Sequence, residues 1–314
     1  MKYSLNPMKY SLIAAAVLSS AALWAQDLPQ MSPKTTFEQR IGLTDAKVTY
    51  GRPSARGRDI FSEIVPPGEH WRLGANTKTL LTLSSEVKFV GGALTAETSS
   101  LSSIYSLVDQ SSEVNLDGGA LPAGTYSLSL FPNDGVWVLV INKNLEGWGI
   151  YEYNEKYDAL RVSAPVEFSS MKTESLLLAW DNIQTNSADL IVSWGDRMAR
   201  FPMKVPTERL AKENIAKAIA DPKAEWTVFR NAARYARENK MPEAESWAKT
   251  AVKMKSDNWG THYLLAQILE ENGKMSEALK AAQNSLEAGL TDAKKMKKAF
   301  ANEADVQALI SRLK

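Results

Sequence analysis

The hydrophobic pattern of the chain changes its period at Pro206, and this change limits the possible folds more than any other feature. Between about Gln26 and Val205, short apolar segments are broken by Gly, Pro, Asn and Asp, which is typical of strands and turns. After Pro206 the sequence is rich in Ala, Lys, Glu, Leu and Met at helical spacing. The 314 residues therefore predict an α+β protein of two domains, β-rich over 26–205 and α-helical over 206–314.

One segment of the β-rich part strongly predicts a hairpin. Residues 125–131 form one strand, Pro132-Asn133-Asp134-Gly135 is the turn, and 136–141 is the return strand. Residues 136–140 are apolar on both faces, which indicates a strand buried between layers, so we expect an antiparallel β-sandwich or a flattened barrel. The other predicted strands are 36–41, 47–50, 78–83, 160–166, 175–180, 189–194 and 198–205.

The β-rich part also contains an internal duplication. The sequence SSEV followed by GGAL at 84–94 recurs at 111–121, and the match extends into residues 125–129. We interpret the second copy as the original hairpin arm. The first copy is either an added strand pair or a polar surface excursion, since edge strands and loops tolerate insertions best.

The helical part contains a repeat of its own, in which NKMPEA at 239–244 matches GKMSEA at 273–278. This period of 34 residues, with small residues where two helices would meet, resembles the tetratricopeptide repeat. Only two units are legible, and a stacked array needs about three. We therefore expect a helix over 207–220, with Thr207 as its N-cap, and the tail over 304–313 to cap the array.

The first 25 residues predict a secretory signal peptide. Lys2 and Lys9 supply positive charge, and an apolar stretch over 12–24 follows that is too short for a membrane span. The sequence MKYSL occurs at Met1 and again at Met8, so either methionine can be the start. The chain has no cysteine, so we expect a periplasmic or secreted protein that folds without disulfides.

The charge balance argues against two classes of partner. A net charge of +1 and an isoelectric point of about 7.8 create no field that would gather nucleic acid or an anionic membrane surface. We therefore expect neither as a partner.

Several motifs in the β-rich part carry a resemblance. The segments TYGRPSARGRDIF at 49–61, VPPG at 65–68 and WRLGAN at 71–76 are followed by LPAGTYSL at 121–128, YDALRV at 157–162 and SWG at 193–195. Together they resemble the bacterial family known as domain of unknown function 2911, over about 31–205. The resemblance implies an exported β-rich domain, often followed by helical repeats, with no established activity. Residues 89–115 form an insertion relative to the family pattern.

The loop over 52–76 is the strongest candidate for a ligand site. Its arginines offer planar donors that match a carboxylate or a phosphate, and His70 could act as a base near neutral pH. The simpler interpretation is that the arginines pair with Asp59, Glu63 and Glu69 and pin the loop to the sheet, while His70 is a hydrogen-bonded structural residue. The candidate ligand-binding residues are Arg52, Arg58, His70, Trp71, Arg72 and Asn76.

Other chemistry has little support in the sequence. Two distant histidines and no cysteine do not make a usual zinc ligand set, and no calcium loop, nucleophile elbow or phosphate-binding glycine loop is present. We predict no metal and no cofactor. Trp137, Trp148, Tyr151 and Tyr153 could stack on a carbohydrate or peptide, or could simply fill the core and its rim.

Three functional hypotheses remain. The first is a non-enzymatic binding or scaffold protein of the bacterial envelope, whose helical repeats bind a protein or peptide partner. The second is a periplasmic hydrolase or small-ligand-binding domain that uses the loop from Arg52 to Asn76, with Arg58 or Arg72 holding an anion. In the third, the repeats only stabilise or dimerise the protein.

Overall fold

The computed structural model describes residues 28–91 and 118–314. Within these residues, nine strands precede six helices. The strands are β1 (Lys34–Ile41), β2 (Thr44–Gly51), β3 (Ala75–Leu83), β4 (Val87–Val90), β5 (Gly118–Leu121), β6 (Gly124–Phe131), β7 (Val136–Asn142), β8 (Asp158–Asp181) and β9 (Ser187–Lys204).

The nine strands form one antiparallel sheet in the order β1-β2-β3-β6-β7-β8-β9-β4-β5. The two halves of this sheet are joined through β8. Its first residues pair with β7, as in Val136↔Pro165, and its remainder pairs with β9, as in Val166↔Ala199. Register shifts between Phe168 and Leu177 mark irregularities in the β8–β9 pairing.

A single hydrophobic core joins the two halves of the sheet. It includes Trp137 on β7 and Trp194 on β9, both fully buried. Tyr50 on β2 also links the halves, because its hydroxyl donates to the carbonyl of Leu176 and accepts from the backbone N–H of Leu178, each at 3.2 Å. The predicted α+β architecture, an antiparallel β part followed by helices, is confirmed.

The sheet confirms the predicted hairpin and corrects two pairs of predicted strands. β6 and β7 pair around the expected turn, with Phe131 opposite Val138. The predicted strands 160–166 and 175–180 are parts of the single strand β8, and 189–194 and 198–205 are parts of β9. The division of β8 was wrong because residues 167–172 are all exposed and carry no alternating pattern, although the backbone continues as strand. The division of β9 was wrong because the strand continues through Gly195, although glycine usually ends a strand pattern.

Part of the predicted duplication lies outside the described residues, which exclude 92–117. The described parts of the SSEV and GGAL segments include one strand pair, whereas the match over 125–129 lies in β6. β4 comes from the first copy and β5 from the second, and they run antiparallel with Phe89 opposite Gly119.

The helices start directly after the sheet. They are α1 (Thr207–Ala220), α2 (Trp226–Glu238), α3 (Ala244–Met254), α4 (Trp259–Glu271), α5 (Met275–Met296) and α6 (Glu303–Leu313). The predicted helix over 207–220 is confirmed, but Thr207 as its N-cap is wrong. Pro206 holds the cap position, and the Thr207 hydroxyl instead donates to the carbonyl of Thr185 at 2.6 Å.

Alanines let the helices approach closely. Ala233 and Ala236 of α2, Ala244 and Ala248 of α3, and Ala278 of α5 all contribute to the second hydrophobic core. Ion pairs join alternate helices on the surface: Arg237 of α2 contacts Glu271 of α4 at 2.8 Å, and Arg312 of α6 contacts Glu270 at 2.6 Å. None of the six helices is long and apolar enough to cross a membrane.

Candidate functional site

Three of the predicted ligand-binding residues donate hydrogen bonds to backbone carbonyls. Arg52 donates from Nε to the carbonyl of Leu176 at 3.0 Å, and Asn76 donates to that of Ser32 at 2.9 Å. Arg58 donates to the carbonyls of Ser54 and Ala55, each at 2.9 Å. The expected ion pairs are wrong, because within the described residues neither arginine contacts a carboxylate. The loop is pinned through peptide groups instead.

Arg58 also lines a cleft of about 660 Å³ at the end of the loop. The cleft is shared with Phe61, Glu174 and Arg197. The Arg197 guanidinium lies 4.2 Å from the Phe61 ring centroid and pairs with Asp134 at 2.9 Å. Acidic and basic side chains are mixed in this cleft, so it offers no strong preference for an anion.

His70 occupies a different place, against the outer face of β6. Its Nε2 is 2.7 Å from the Ser129 hydroxyl, its ring stacks on Phe131 at 4.3 Å, and the edge of Tyr153 lies 4.2 Å away. Burial, and secondarily the charge of Arg161, lower the pKa of His70 to about 4. The imidazole is therefore neutral near pH 7 and is a weak base.

A closed polar network lies beside His70. The Asp158 carboxylate accepts from Arg161 Nε at 2.8 Å, from the Tyr153 hydroxyl at 2.8 Å and from Asn142 Nδ2 at 2.7 Å. Burial, followed by the Asp158 charge, raises the pKa of Tyr153. Because each member already has a partner, this network stabilises the outer face of the sheet.

The last two predicted residues, Trp71 and Arg72, lie on opposite sides of the strand-like segment that pairs with β6. Trp71 exchanges two backbone hydrogen bonds with Leu130, both 2.8 Å, and stacks on Trp194 at 5.6 Å. Arg72 packs against Gly149, where an added Cβ would lie 2.9 Å from the guanidinium carbon. Trp148 and Tyr151 beside it are 51% and 79% exposed, whereas Trp137 is buried in the core.

His70 thus lies beside the Ser129 hydroxyl, but the six predicted ligand-binding residues do not line a common cavity. The cleft of Arg58 includes neither His70 nor Arg72. Over residues 28–91 and 118–314, no group of three histidine, aspartate or glutamate side chains could hold a metal ion.

An open, apolar cleft lies between α1 and α2. It has a volume of about 560 Å³ and is closed at one side by Gly42 and Leu43 of the β1–β2 turn. The turn fits closely, since a Cβ at Gly42 would lie 2.0 Å from the Thr207 hydroxyl. Residues of α1 and α2 complete the lining, together with Thr185: Thr207, Ala211, Asn214, Ile215, Ala218, Val228, Asn231, Ala232 and Tyr235.

The cleft was not predicted, because α1 was expected only to cap the helical array. A signal was present in the sequence, since positions i, i+3, i+4 and i+7 of both helices are apolar except for asparagine at i+3. The two stripes begin at Ala211 and Val228. Such stripes are usually buried against a neighbouring helix, whereas here both line an open cleft.

The β-rich part of the chain matches a known family. A family model described as "Protein of unknown function (DUF2911)" matches residues 32–107 and 103–203, which together cover more than half of the chain. The six α-helices lie beyond these matches. None of the curated proteins matched the sequence.

Proposed function

Because the chain belongs to the family described as protein of unknown function (DUF2911), and the family match ends before the helices, we propose that the helices add a binding function. On this proposal the protein is a non-enzymatic binding or scaffold protein of the bacterial envelope. Its helices, read as tetratricopeptide-like repeats, bind a protein or peptide partner. The observation that carries the proposal is the apolar cleft between α1 and α2.

The cleft supports binding because it leaves apolar side chains accessible on a rigid support. Ile215, Val228 and Tyr235 are only half-buried at its surface. Covering apolar surface contributes about 25 cal/mol per Å², so a partner that fills the cleft gains free energy from these side chains. The Thr207–Thr185 hydrogen bond and the Gly42 contact hold α1 to the sheet, so the cleft is preformed.

The envelope location is part of the same proposal. It is supported by the N-terminal sequence, with Lys2 and Lys9 before an apolar stretch, and by a chain that contains no cysteine. Cell fractionation would test this location. When the full-length sequence is expressed, the protein should be found in the periplasm or the medium and should be shortened at its N-terminus.

A matched pair of isoleucines on α1 allows a sharp test of binding. Ile215 lines the cleft, whereas Ile219, one turn further on and similarly exposed, does not. We expect Ile215→Gln to reduce the capture of a partner from solubilised envelope, and Ile219→Gln to leave it unchanged. Mass spectrometry would identify the captured partner. Equal capture by the wild-type protein and the Ile215→Gln variant would contradict the proposal.

One observation favours the alternative, a hydrolase or small-ligand domain that uses the loop from Arg52 to Asn76. His70 and Ser129 form an imidazole–hydroxyl pair at 2.7 Å, which is the contact that activates a serine nucleophile. A panel of activated esters would test it. Hydrolysis that is lost in Ser129→Ala would establish this function, and no hydrolysis by the wild-type protein would remove it.

A further inference from the structure

The loop over 52–76 contacts a short segment of the chain itself, residues 28–33, which we call the strap. The Arg56 guanidinium donates from Nη2 to the carbonyl of Met31 at 2.8 Å. A hydrogen bond from a charged donor is roughly twice as strong as one between neutral groups. This loop, which the sequence indicated as a ligand site, therefore already binds a peptide segment.

The next two carbonyls of the strap are bound as well. Asn76 donates from Nδ2 to the carbonyl of Ser32 at 2.9 Å, and it also reaches the side-chain oxygen of Gln30 at 3.3 Å. The backbone N–H of Arg52 donates to the carbonyl of Pro33 at 2.9 Å. One loop therefore binds three consecutive carbonyls of a short peptide.

The strap is held by its main chain and not by its side chains. Five of its six residues are exposed, among them Leu28 at 65% and Met31 at 72%. None of its backbone N–H groups forms a hydrogen bond with a described residue. Because no apolar surface of the strap is buried, its detachment costs only these hydrogen bonds. The loop would then offer the same donors to another segment.

Two prolines explain why the carbonyls of the strap are free to be bound. Pro29 and Pro33 have no N–H group and cannot donate to a neighbouring carbonyl. The residues before them, Leu28 and Ser32, are disfavoured in the helical conformation. The segment between the prolines therefore forms no helix of its own, and its carbonyls accept from the loop.

The donors of the loop are fixed in unusual backbone conformations. Arg56 has a φ of +54° and Asn76 a φ of +63°. Asparagine tolerates the left-handed region, whereas for arginine this conformation is unfavourable. The backbone N–H of Arg56 donates to the Glu174 carboxylate at 2.8 Å, which holds this turn in place. Strained residues of this kind are often found at binding sites, where they position a group in advance.

We propose that the loop over 52–76 is a binding site for a short, proline-bounded peptide segment, which it recognises by consecutive main-chain carbonyls. The strap occupies this site as an internal ligand, and a similar segment of a protein partner binds by displacing the strap. The site uses none of the residues that line the cleft between α1 and α2, so the inference does not depend on the function proposed for the helices.

A titration followed by nuclear magnetic resonance tests the displacement. The probe is the peptide Leu-Pro-Gln-Met-Ser-Pro, which has the sequence of the strap. It is added to the mature chain, which begins at Gln26, and to a shortened chain that begins at Pro33. Residues 28–32 contribute no buried side chain, so we expect the shortened chain to fold, and circular dichroism would check this.

The two chains should differ in their affinity for the peptide. In the shortened chain the Asn76 side-chain amide signal should shift, with an affinity in the millimolar range because only a few hydrogen bonds form. In the mature chain the strap competes within the same molecule, so the affinity should be at least tenfold weaker. Absence of binding to a folded shortened chain, or equal binding to both chains, would overturn the inference.

Substitutions in the shortened chain identify the donors. Asn76→Asp keeps a residue that tolerates the left-handed region but removes the donor, and Arg56→Gly removes the guanidinium without backbone strain. Each should weaken peptide binding about tenfold. Asn182→Asp, at a left-handed position outside the loop with a φ of +49°, is the matched control and should bind the peptide as the unsubstituted chain does.

A measurement on the mature chain gives a result even if the shortened chain does not fold. In the double variant Arg56→Gly/Asn76→Asp the strap should be released. The backbone order parameters of Met31 and Ser32 should then fall from values near 0.85, typical of a rigid backbone, to below about 0.6. Order parameters that stay at the wild-type values would show that these side chains do not hold the strap, and the inference would be wrong.

Discussion

Acidification should destabilise the protein through His70, and the size of the effect follows from its burial. The pKa of His70 falls from an ordinary value of 6.5 to about 4, first because burial disfavours the charged imidazolium and second because Arg161 repels it. Between these two values the unfolded chain binds a proton that the folded chain does not. The contribution of neutral His70 to the free energy of unfolding is therefore fully present above pH 6.5 and is lost as the pH falls to 4. The difference, 6.5 − 4, corresponds to about 3 kcal/mol.

Urea unfolding at pH 4, 5, 6 and 7, followed by tryptophan fluorescence, measures this loss. Other acidic groups also titrate in this range, so the wild-type protein should be compared with the double variant His70→Phe/Ser129→Ala. This variant keeps an aromatic ring against Phe131 and removes both partners of the hydrogen bond. The wild-type protein should lose about 3 kcal/mol more than the variant between pH 7 and pH 4.

A proton titration by nuclear magnetic resonance gives a direct check. The chain has only two histidines, so in a His262→Asn background the remaining imidazole signal belongs to His70. A midpoint near 6.5, or equal pH dependence of the wild-type protein and the double variant, would refute the argument from burial. His70 would then be free to act as a base near neutral pH, and the hydrolase alternative would gain support.

Three further predictions concern stability. In urea unfolding, Asp158→Asn should lower the free energy of unfolding by about 3 kcal/mol, because Arg161, only 6% exposed, loses its nearest carboxylate. The double variant Asp158→Asn/Arg161→Met should lose less, because no buried charge is left without a partner. Gly42→Ala should cost about 1–3 kcal/mol in the same assay and weaken the capture of a partner, because Gly42 has a φ of +56° and no room for a Cβ. Hydrogen bonds from Lys249 and then Lys274 lower the pKa of Glu245 to about 2, so Glu245→Gln should destabilise the helices at pH 7. In thermal unfolding, the difference between this variant and the wild-type protein should disappear as the pH falls from 4.5 to 2.

The sequence predicted elements well wherever burial and turn residues agreed. The β6–β7 hairpin was correct because a Pro-Asn-Asp-Gly turn separates two strands that are buried along most of their length. The helix over 207–220 was correct because Asp221-Pro222 ends its periodic pattern. β8 was divided because a hydrophobic pattern reports which side chains are buried. It does not report that an exposed backbone still pairs with a neighbouring strand.

The site was harder to predict than the fold. Arginines in the loop over 52–76 indicated an anion site, yet a guanidinium also donates to backbone carbonyls, and composition does not show which acceptor the fold places beside it. The cleft between α1 and α2 was overlooked because apolar positions at helical spacing usually indicate burial against a neighbouring helix. Whether such positions line an open cleft depends on the separation of α1 from α2, which no local pattern encodes.

The pairing of β4 with the much later strand β9 affects the order in which the chain can fold. β4 lies near the start of the β part, yet its neighbour β9 is completed only at Lys204, where Lys88 and Lys204 are paired. Closing such a long loop carries a large entropic cost before the contact is gained, so sheets of this kind form slowly. During synthesis, which starts at the N-terminus, the sheet is therefore incomplete until β9 has been made. In that interval the strand edges of β4 and β8 that later pair with β9 are exposed and can associate with other chains.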